Sequence, residues 1–175
     1  VYPVLHIDFS ISKYVVASSL RAYLHYQLAL WEKVYGKSED EGTFSLRFGG
    51  VIRRAYEQTG KRVVILIDEY DSPMLDSNNN EEVQSEIRNI MRDFFSPLKS
   101  QGQYLRFLFL TGISKFSQMS IFSELNNLQN ISMWDEYSAI CGITEEELRS
   151  QMQIDIEQIA QTNNETYEEA CAHLK

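Results

Sequence analysis

The chain has 175 residues, 43% of them hydrophobic and 12% aromatic, and its formal net charge is −9. This length and apolar content suffice for one domain with a substantial core and argue against disorder. Residues 1–80 carry 9 basic and 10 acidic side chains, whereas residues 81–175 carry 7 and 15. Because binding to a phosphate backbone needs clustered Lys and Arg, the acidic balance disfavours nucleic acid as a partner.

No apolar run reaches the length of about 18 residues that a membrane span needs, and no charged-then-apolar leader opens the sequence. We therefore expect a cytoplasmic protein without a membrane partner. Cys141 and Cys171 lack the C-x-x-C spacing of a redox or metal motif, so we expect both to be reduced thiols.

The first predicted elements are a strand and two helices. Residues 2–9 alternate as a strand does, and this abrupt start leads us to expect a fragment of a longer protein. Apolar residues then recur every three to four positions over 14–35 and 44–59, which predicts two amphipathic helices. The G-K-S triplet at 36–38 resembles the end of a phosphate loop. Since it follows a helix instead of opening one, we interpret its glycine as a helix C-cap.

The next predicted element is a buried strand that ends in two acids. Residues 63–67 are all apolar, four of them β-branched, and Asp68 and Glu69 follow them. Such a run suits a strand buried on both faces of a parallel sheet, where ligands bind at the carboxyl ends of the strands. The doublet resembles a Walker B element, in which one acid orders a Mg²⁺ shell and the other polarises a water. The partner motif G-x-x-x-x-G-K-[ST] is absent from the sequence.

A helix and a second buried strand are predicted after the acid doublet. Residues 71–80 predict a loop, and Asn80 is a suitable N-cap for a helix that Pro97 should end or kink. The apolar run at 104–111 predicts the second strand, which stops at a Thr-Gly pair. Buried strands with helices before and between them predict an α/β sheet with right-handed crossovers.

The last third of the chain predicts a loop and a small helical lobe. Residues 113–128 mix Ser and Asn with aromatic residues and resemble an active-site loop. The T-E-E-E sequence at 144–147 is a capping box that should open one helix through Ile159. We therefore divide the chain into a partial α/β core at 1–130 and the start of a lid-like helical lobe at 131–175.

Three segments together resemble a known family: I-D-E-Y-D-S-P-M at 67–74, the run from F-L-F-L-T-G to Q-N-I-S at 107–132, and Y-S-A-I-C-G-I-T-E-E-E-L at 137–148. They are similar to the predicted AAA-ATPase-like family, a branch of the P-loop nucleotidases. The resemblance implies an α/β fold with a three-layer parallel sheet of P-loop NTPase type, incomplete here. In that family a phosphate loop lies just upstream of the segment matching residues 2–10, and a nuclease-like domain commonly follows.

The resemblance also implies roles for individual residues. Asp68 and Glu69 would be the Walker B acids, with Asp68 binding Mg²⁺ and nucleotide and Glu69 orienting water. Thr111 would sense the γ-phosphate, although it could simply cap a strand. Two further candidates are judged on their own chemistry, apart from the resemblance. Lys115 would stabilise phosphate charge, or it is an exposed loop lysine. Asp71 is a second-shell Mg²⁺ partner or the first residue of a turn before a proline. ATP and Mg²⁺ are the cofactors implied for the full-length protein.

Three functions stay open on the sequence. The first is ATP hydrolysis by the parent protein, with this chain inactive alone because it lacks the phosphate loop. The second is a degenerate nucleotidase fold whose acidic C-terminal lobe contacts a protein partner, so that Glu69→Gln would leave its function intact. The third is a phosphoacceptor-like Mg²⁺ site formed by Asp8, Asp68 and Asp71, although the acid doublet fits water activation better.

Overall fold

The computed structural model describes residues 1–113, 121, 128–140 and 142–174. The chain divides into two compact units, residues 1–128 and residues 129–175. None of the helices in the described ranges has both the length and the apolar character that crossing a bilayer requires.

The first unit is a mixed α/β fold with three strands. Its strands and α-helices, in chain order, are β1 (Val4–Asp8), α1 (Ala17–Tyr35), α2 (Phe44–Thr59), β2 (Val63–Asp68), α3 (Ser72–Asp76), α4 (Glu81–Phe95), α5 (Pro97–Ser100) and β3 (Leu105–Leu110). All three strands are parallel, and β2 lies between β1 and β3. The predicted α/β sheet is therefore confirmed in its strands and their direction.

Local signals place the helix ends where the sequence predicts them. Gly36 follows α1 with φ +88°, and its amide donates to the Glu32 carbonyl, so the G-K-S triplet is a helix end. Gly60 ends α2 in the left-handed region with φ +64°. The Asn80 side chain accepts a hydrogen bond from the Val83 amide at the start of α4. Each cap satisfies backbone groups that the helix itself leaves unpaired.

The described helices cover only one face of the sheet. The buried residues of β1 and β2 alternate along each strand and belong to one core cluster: Leu5, Ile7, Val63, Ile65 and Ile67. Val64 and Leu66, which point the other way, are only partly buried. Two right-handed crossovers in the order β1-β2-β3 place their helices on the same side. Within the described residues β2 is therefore fully buried on one face only, and the three-layer arrangement stays a prediction.

Aromatic stacking joins three helices on the covered face. The Phe48 ring of α2 stacks on Phe94 of α4 at 4.7 Å between centroids and on Trp31 of α1 at 5.4 Å. Such pairs each add about 0.5–1.5 kcal/mol beyond the burial of their area. The helices thus form one layer that packs against the covered face of β1 and β2.

The predicted loop at 71–80 contains the short helix α3, which the sequence did not indicate. Pro73 and Met74 of α3 are buried, and Met74 belongs to the core cluster. Ser, Asn and Asp favour turns because their side chains compete for backbone hydrogen bonds. Burial of the two apolar residues overrides that local preference.

The second unit consists of short helices: α6 (Glu145–Gln151), α7 (Gln153–Asn163) and α8 (Tyr167–His173). The predicted capping box is confirmed, because Thr144 and Glu147 make both of its hydrogen bonds. The single long helix was wrong, since the chain breaks at Met152 with φ −111° and ψ 22°. The small core of this unit contains Ile156, Ala160, Ala170 and Cys171. Cys171 is a free thiol, and Cys141 lies outside the described residues.

Candidate functional site

The carboxyl edge of the sheet brings together residues from separate motifs. Asp8 and Asp68 are register partners at the ends of β1 and β2. Thr111 follows β3, and its amide donates to the Ile67 carbonyl at 2.9 Å. The structure therefore places Asp68, Glu69 and Thr111 side by side, although 42 residues separate the last two in sequence.

Thr111 is hydrogen-bonded directly to the first acid. Its hydroxyl donates to Asp68 Oδ1. The same carboxylate oxygen accepts the Glu69 backbone N–H at 3.1 Å, and Thr111 Oγ1 lies 3.4 Å from that nitrogen. These contacts fix the orientation of the Asp68 carboxylate. In this structure Thr111 therefore positions Asp68, and it would have to exchange that bond to contact a phosphate.

Glu69 has an uncommon backbone conformation. Its φ of +51° lies in the left-handed region, which costs a non-glycine residue roughly 1–2 kcal/mol. The next residue is held on the neighbouring strand, because the Tyr70 amide donates to the Thr111 carbonyl at 3.0 Å. The Glu69 carbonyl accepts from the Ser72 amide at 3.0 Å. Strain of this kind persists where the surroundings enforce it and is frequent at functional sites.

The acid doublet carries negative charge that the described residues do not pair. None of the salt bridges among them includes Asp68 or Glu69. No group of three or more potential metal ligands occurs there either. The Mg²⁺ site of three aspartates therefore does not assemble in this part of the chain, and Asp8 Oδ1 instead accepts the Ser10 amide at 2.8 Å.

The donor set at this edge suits a metal that is shared with a substrate. Mg²⁺ usually keeps several waters and binds one or two carboxylates together with substrate phosphates. Asp68, partly buried and oriented by Thr111, fits that pattern as a single carboxylate. The described residues include no phosphate-binding loop.

Asp71 and Lys115 differ from the other predicted residues. Asp71 is fully buried, and its carbonyl accepts the Met74 and Leu75 amides at the start of α3. The structure thus shows the turn role of Asp71, while its second-shell metal role stays a prediction. Lys115 lies outside the described residues, so its predicted role also stays a prediction.

Sequence reasoning missed the close packing of Gly112. A Cβ built on Gly112 would lie 2.5 Å from Asp71 Oδ1 and 2.7 Å from Tyr70 Cε1. The Thr-Gly pair at the strand end is the only signal that could have indicated it, and a glycine after a strand usually indicates a turn.

A second polar cluster, Arg47, Glu32 and His25, lies between α1 and α2. Arg47 donates to both oxygens of Glu32, at 2.6 and 2.8 Å, and to His25 Nδ1 at 2.7 Å. The Arg47 hydrogen bonds lower the pKa of Glu32. Desolvation of the ring, followed by the Arg47 charge, lowers the pKa of His25. Because guanidinium only donates, His25 Nδ1 is the acceptor and the ring is neutral.

Comparison with known proteins finds one family model and one curated relative that resemble this chain. The family model described as "Predicted AAA-ATPase" matches residues 1–122. A relative in Azotobacter chroococcum mcd 1, called "Uncharacterized protein in vnfD 5'region", is 41% identical over 144 residues. That match covers 82% of this chain but 28% of the relative, so the chain spans less than a third of its length. No solved structure matches the chain.

The family match covers the three strands, Asp68, Glu69 and Thr111, and it extends over more than half of the chain. The relative adds an independent similarity over most of the same residues. The chain therefore belongs to the AAA-ATPase-like family of predicted AAA-ATPases.

Proposed function

We propose that this chain supplies the Walker B acids and the sensor strand of a Mg²⁺-dependent ATP-hydrolysing protein with a sheet of P-loop NTPase type. One observation carries the proposal: an acid doublet ends the central strand, and Thr111 at the end of β3 donates to Asp68. The family match supports it, because the matched residues include both strand ends.

Each residue has a distinct task in this proposal. Asp68 holds the metal shell with the carboxylate that Thr111 orients. Glu69 accepts a hydrogen bond from the attacking water and aligns it. Bound Mg²⁺ would supply charge neutralisation at the phosphate oxygens. Thr111 links the two strands, so that a change at the nucleotide would reach Asp68 through a single hydrogen bond.

The uncovered face of the sheet favours a helix, and with it a phosphate loop, that lies outside this chain. Val64 and Phe107 are register partners on the uncovered face, as are Leu66 and Phe109, and β3 pairs with β2 alone among the described strands. Parallel sheets are normally covered on both faces. A preceding strand beside β3, joined by a helix to β1, would place that helix on the open face if its crossover is right-handed.

That topology would also put the missing loop at the proposed site. A loop between the preceding strand and its helix would lie at the carboxyl edge, where Asp68 and Glu69 end β2. The backbone amides at the helix N-terminus would then be available to bind phosphates. This arrangement explains why the present chain should not bind ATP by itself.

The test compares this chain with a version extended upstream by its native residues. Mg²⁺-ATP binding and hydrolysis are measured on both, each as wild type, as Glu69→Gln and as the surface control Glu57→Gln. We expect only the extended form to bind, Glu69→Gln to stop turnover, and Glu57→Gln to leave it unchanged. Absence of nucleotide binding by both forms would contradict the proposal.

A second candidate is a protein-interaction role for the acidic helical unit. Residues 129–175 contain ten acidic and two basic residues, and several of their apolar side chains are exposed, among them Ile143 at 70% and Ile154 at 71%. We propose that a basic amphipathic segment of a partner could bind there. Titration with a Lys-rich amphipathic peptide should change the fluorescence of Trp134, and the Ile143→Ser/Ile154→Ser variant should lose the response. No response from the wild type would reject this candidate.

A further inference from the structure

We propose that Gly112 is a positioning residue: its lack of a side chain allows the Tyr70-Asp71 turn to pack on the end of β3, and this packing holds Glu69 in its strained conformation. The structural part concerns only this chain. The catalytic consequence rests on the proposed function, since Glu69 matters for turnover only if it orients water.

Space, not backbone conformation, is what requires glycine at position 112. The described glycines with positive φ are Gly36, Gly60 and Gly142, so Gly112 has a φ that other residues can adopt. Its backbone is exposed, but the direction of a Cβ is blocked by Asp71 Oδ1 at 2.5 Å and by two Tyr70 ring carbons at 2.7 and 2.9 Å. An added methyl group must displace the turn or the strand end.

The blocking groups have little freedom to move away. Tyr70 is 4% exposed and Asp71 is fully buried, so neither side chain can turn into solvent without leaving the packed interior. In well-packed interiors, added methylene groups force shifts of side chains or backbone. The displacement should therefore reach the backbone of the turn.

The same turn carries the hydrogen bonds that determine the Glu69 conformation. The Tyr70 amide donates to the carbonyl of Thr111, the residue immediately before Gly112. Moving Tyr70 away from β3 would break that bond and remove one of the constraints that enforce φ +51° at Glu69. Position 112 thus acts on Glu69 through the Tyr70 backbone without touching a ligand.

Amide hydrogen exchange on this chain tests the structural part. The variant is Gly112→Ala, and the matched control is Gly102→Ala, because no atom lies within 4 Å of a Cβ at Gly102. We expect the Tyr70 amide to exchange at least about tenfold faster in Gly112→Ala, with the α1 amides unchanged. Equal Tyr70 exchange in the two variants overturns the proposal.

A second variant keeps the test decisive if Gly112→Ala does not fold. Asp71→Ala removes the atom closest to the position that a Gly112 Cβ would occupy while keeping the glycine, so the turn loses part of its packing on the strand. The proposal expects faster exchange of the Tyr70 amide in Asp71→Ala as well, again with α1 unchanged. Unchanged Tyr70 exchange in a folded Asp71→Ala chain overturns it.

Kinetics of the extended protein test the catalytic part. Gly112→Ala should lower kcat for ATP at least about tenfold while leaving KM close to that of wild type, because Glu69 acts on water and not on nucleotide binding. Gly102→Ala should change neither constant. Faster Tyr70 exchange with an inactive wild type would reject the proposed function and leave the positioning role standing. Faster exchange with an unchanged kcat would overturn the catalytic consequence.

Discussion

In the α/β unit, the carboxylate of Glu32 and those of Asp68 and Glu69 lie in different electrostatic environments. The Glu32 side chain lies between α1 and α2, where Arg47 binds both of its oxygens, and only 7% of that side chain is exposed. Asp68 and Glu69 lie partly open at the sheet edge, and no salt bridge among the described residues neutralises them. The Glu32 charge is therefore paired within the fold, whereas Asp68 and Glu69 retain negative charge that a cation could bind.

The difference indicates which substitutions should affect folding and which should affect chemistry. A buried ion pair that loses one partner leaves an uncompensated charge away from water. An acid at an open edge loses its charge with little cost to the fold, because solvent already screens it. Stability and activity measurements on matched variants can therefore separate the two groups.

The largest effect is expected for Arg47→Ala. The Glu32 side chain, only 7% exposed, would lose its guanidinium partner, so unfolding in urea should show a loss of about 3–5 kcal/mol. The matched control is Arg53→Ala, whose pair with Glu57 is exposed and 3.8 Å long, and it should cost less than about 0.5 kcal/mol. A similar small loss for both variants would remove the distinction between the two groups.

The next effect is expected for Asp68→Asn in the extended protein. The amide keeps an oxygen for the Thr111 hydroxyl but loses the charge. ATP hydrolysis should therefore fall about 100-fold, and the Mg²⁺ concentration that gives half-maximal activity should rise. The unfolding free energy should stay within about 0.5 kcal/mol of wild type. A large loss of stability with full activity would place Asp68 among the structural carboxylates instead.

A smaller effect is expected for Thr111→Val. Valine has nearly the same shape but cannot donate to Asp68 Oδ1, so the carboxylate should lose its orientation. We expect hydrolysis by the extended protein to decrease about tenfold, and Thr111→Ser to retain most of the activity. If valine and serine reduce activity equally, packing at the strand end matters and the hydroxyl does not.

The smallest effect concerns the pH dependence of stability at His25. The ring interacts electrostatically with four charged groups (Arg47, Glu32, Arg21 and Lys37), and desolvation, followed by the Arg47 charge, lowers its pKa. The unfolded chain therefore takes up the proton first, so this stability is present above about pH 6.5 and is lost as pH falls below it. The loss should be less than about 1 kcal/mol, because solvent screens the exposed part of the ring.

This contribution is measured by urea unfolding of wild type and His25→Gln between pH 7.5 and pH 5.5. The window is chosen around the ordinary histidine pKa of about 6.5. Over it, the unfolding free energy of the variant should lack the fall with decreasing pH that His25 adds in the wild type. The lowered pKa of Glu32 contributes only at lower pH, near and below its ordinary value of 4.5, so the two effects separate. Identical slopes in both chains would show that the pKa of His25 is the same in the folded and unfolded states.

Sequence reasoning identified the strands, the main helices and the residues that meet at the carboxyl edge. Asp68 and Thr111 could be predicted to lie together because both end apolar runs of strand length, and the ends of parallel strands share one edge. The Arg47–Glu32 pair was not predicted. Its partners are 15 residues apart on two helices, and each one alone has the appearance of a surface charge.

The misses have a common physical cause, which is packing between distant segments. Helix α3 forms in a turn-rich sequence because Pro73 and Met74 are buried. The helix predicted to run through Ile159 is divided at Met152 into α6 and α7, although the apolar spacing continues. The uncovered sheet face could not be predicted from 63–67, because an apolar run does not reveal whether one face or two are covered.

The sequence by itself determined the α/β class, the helix caps at Gly36 and Gly60, and the acid doublet that follows β2. These features depend on local periodicity, on backbone freedom and on the order of residues along one segment. Only the tertiary structure decided that Thr111 orients Asp68, that Glu69 adopts φ +51°, and that Gly112 packs on the Tyr70-Asp71 turn. These contacts join segments about 40 residues apart, and such distances are fixed only when the strands pair.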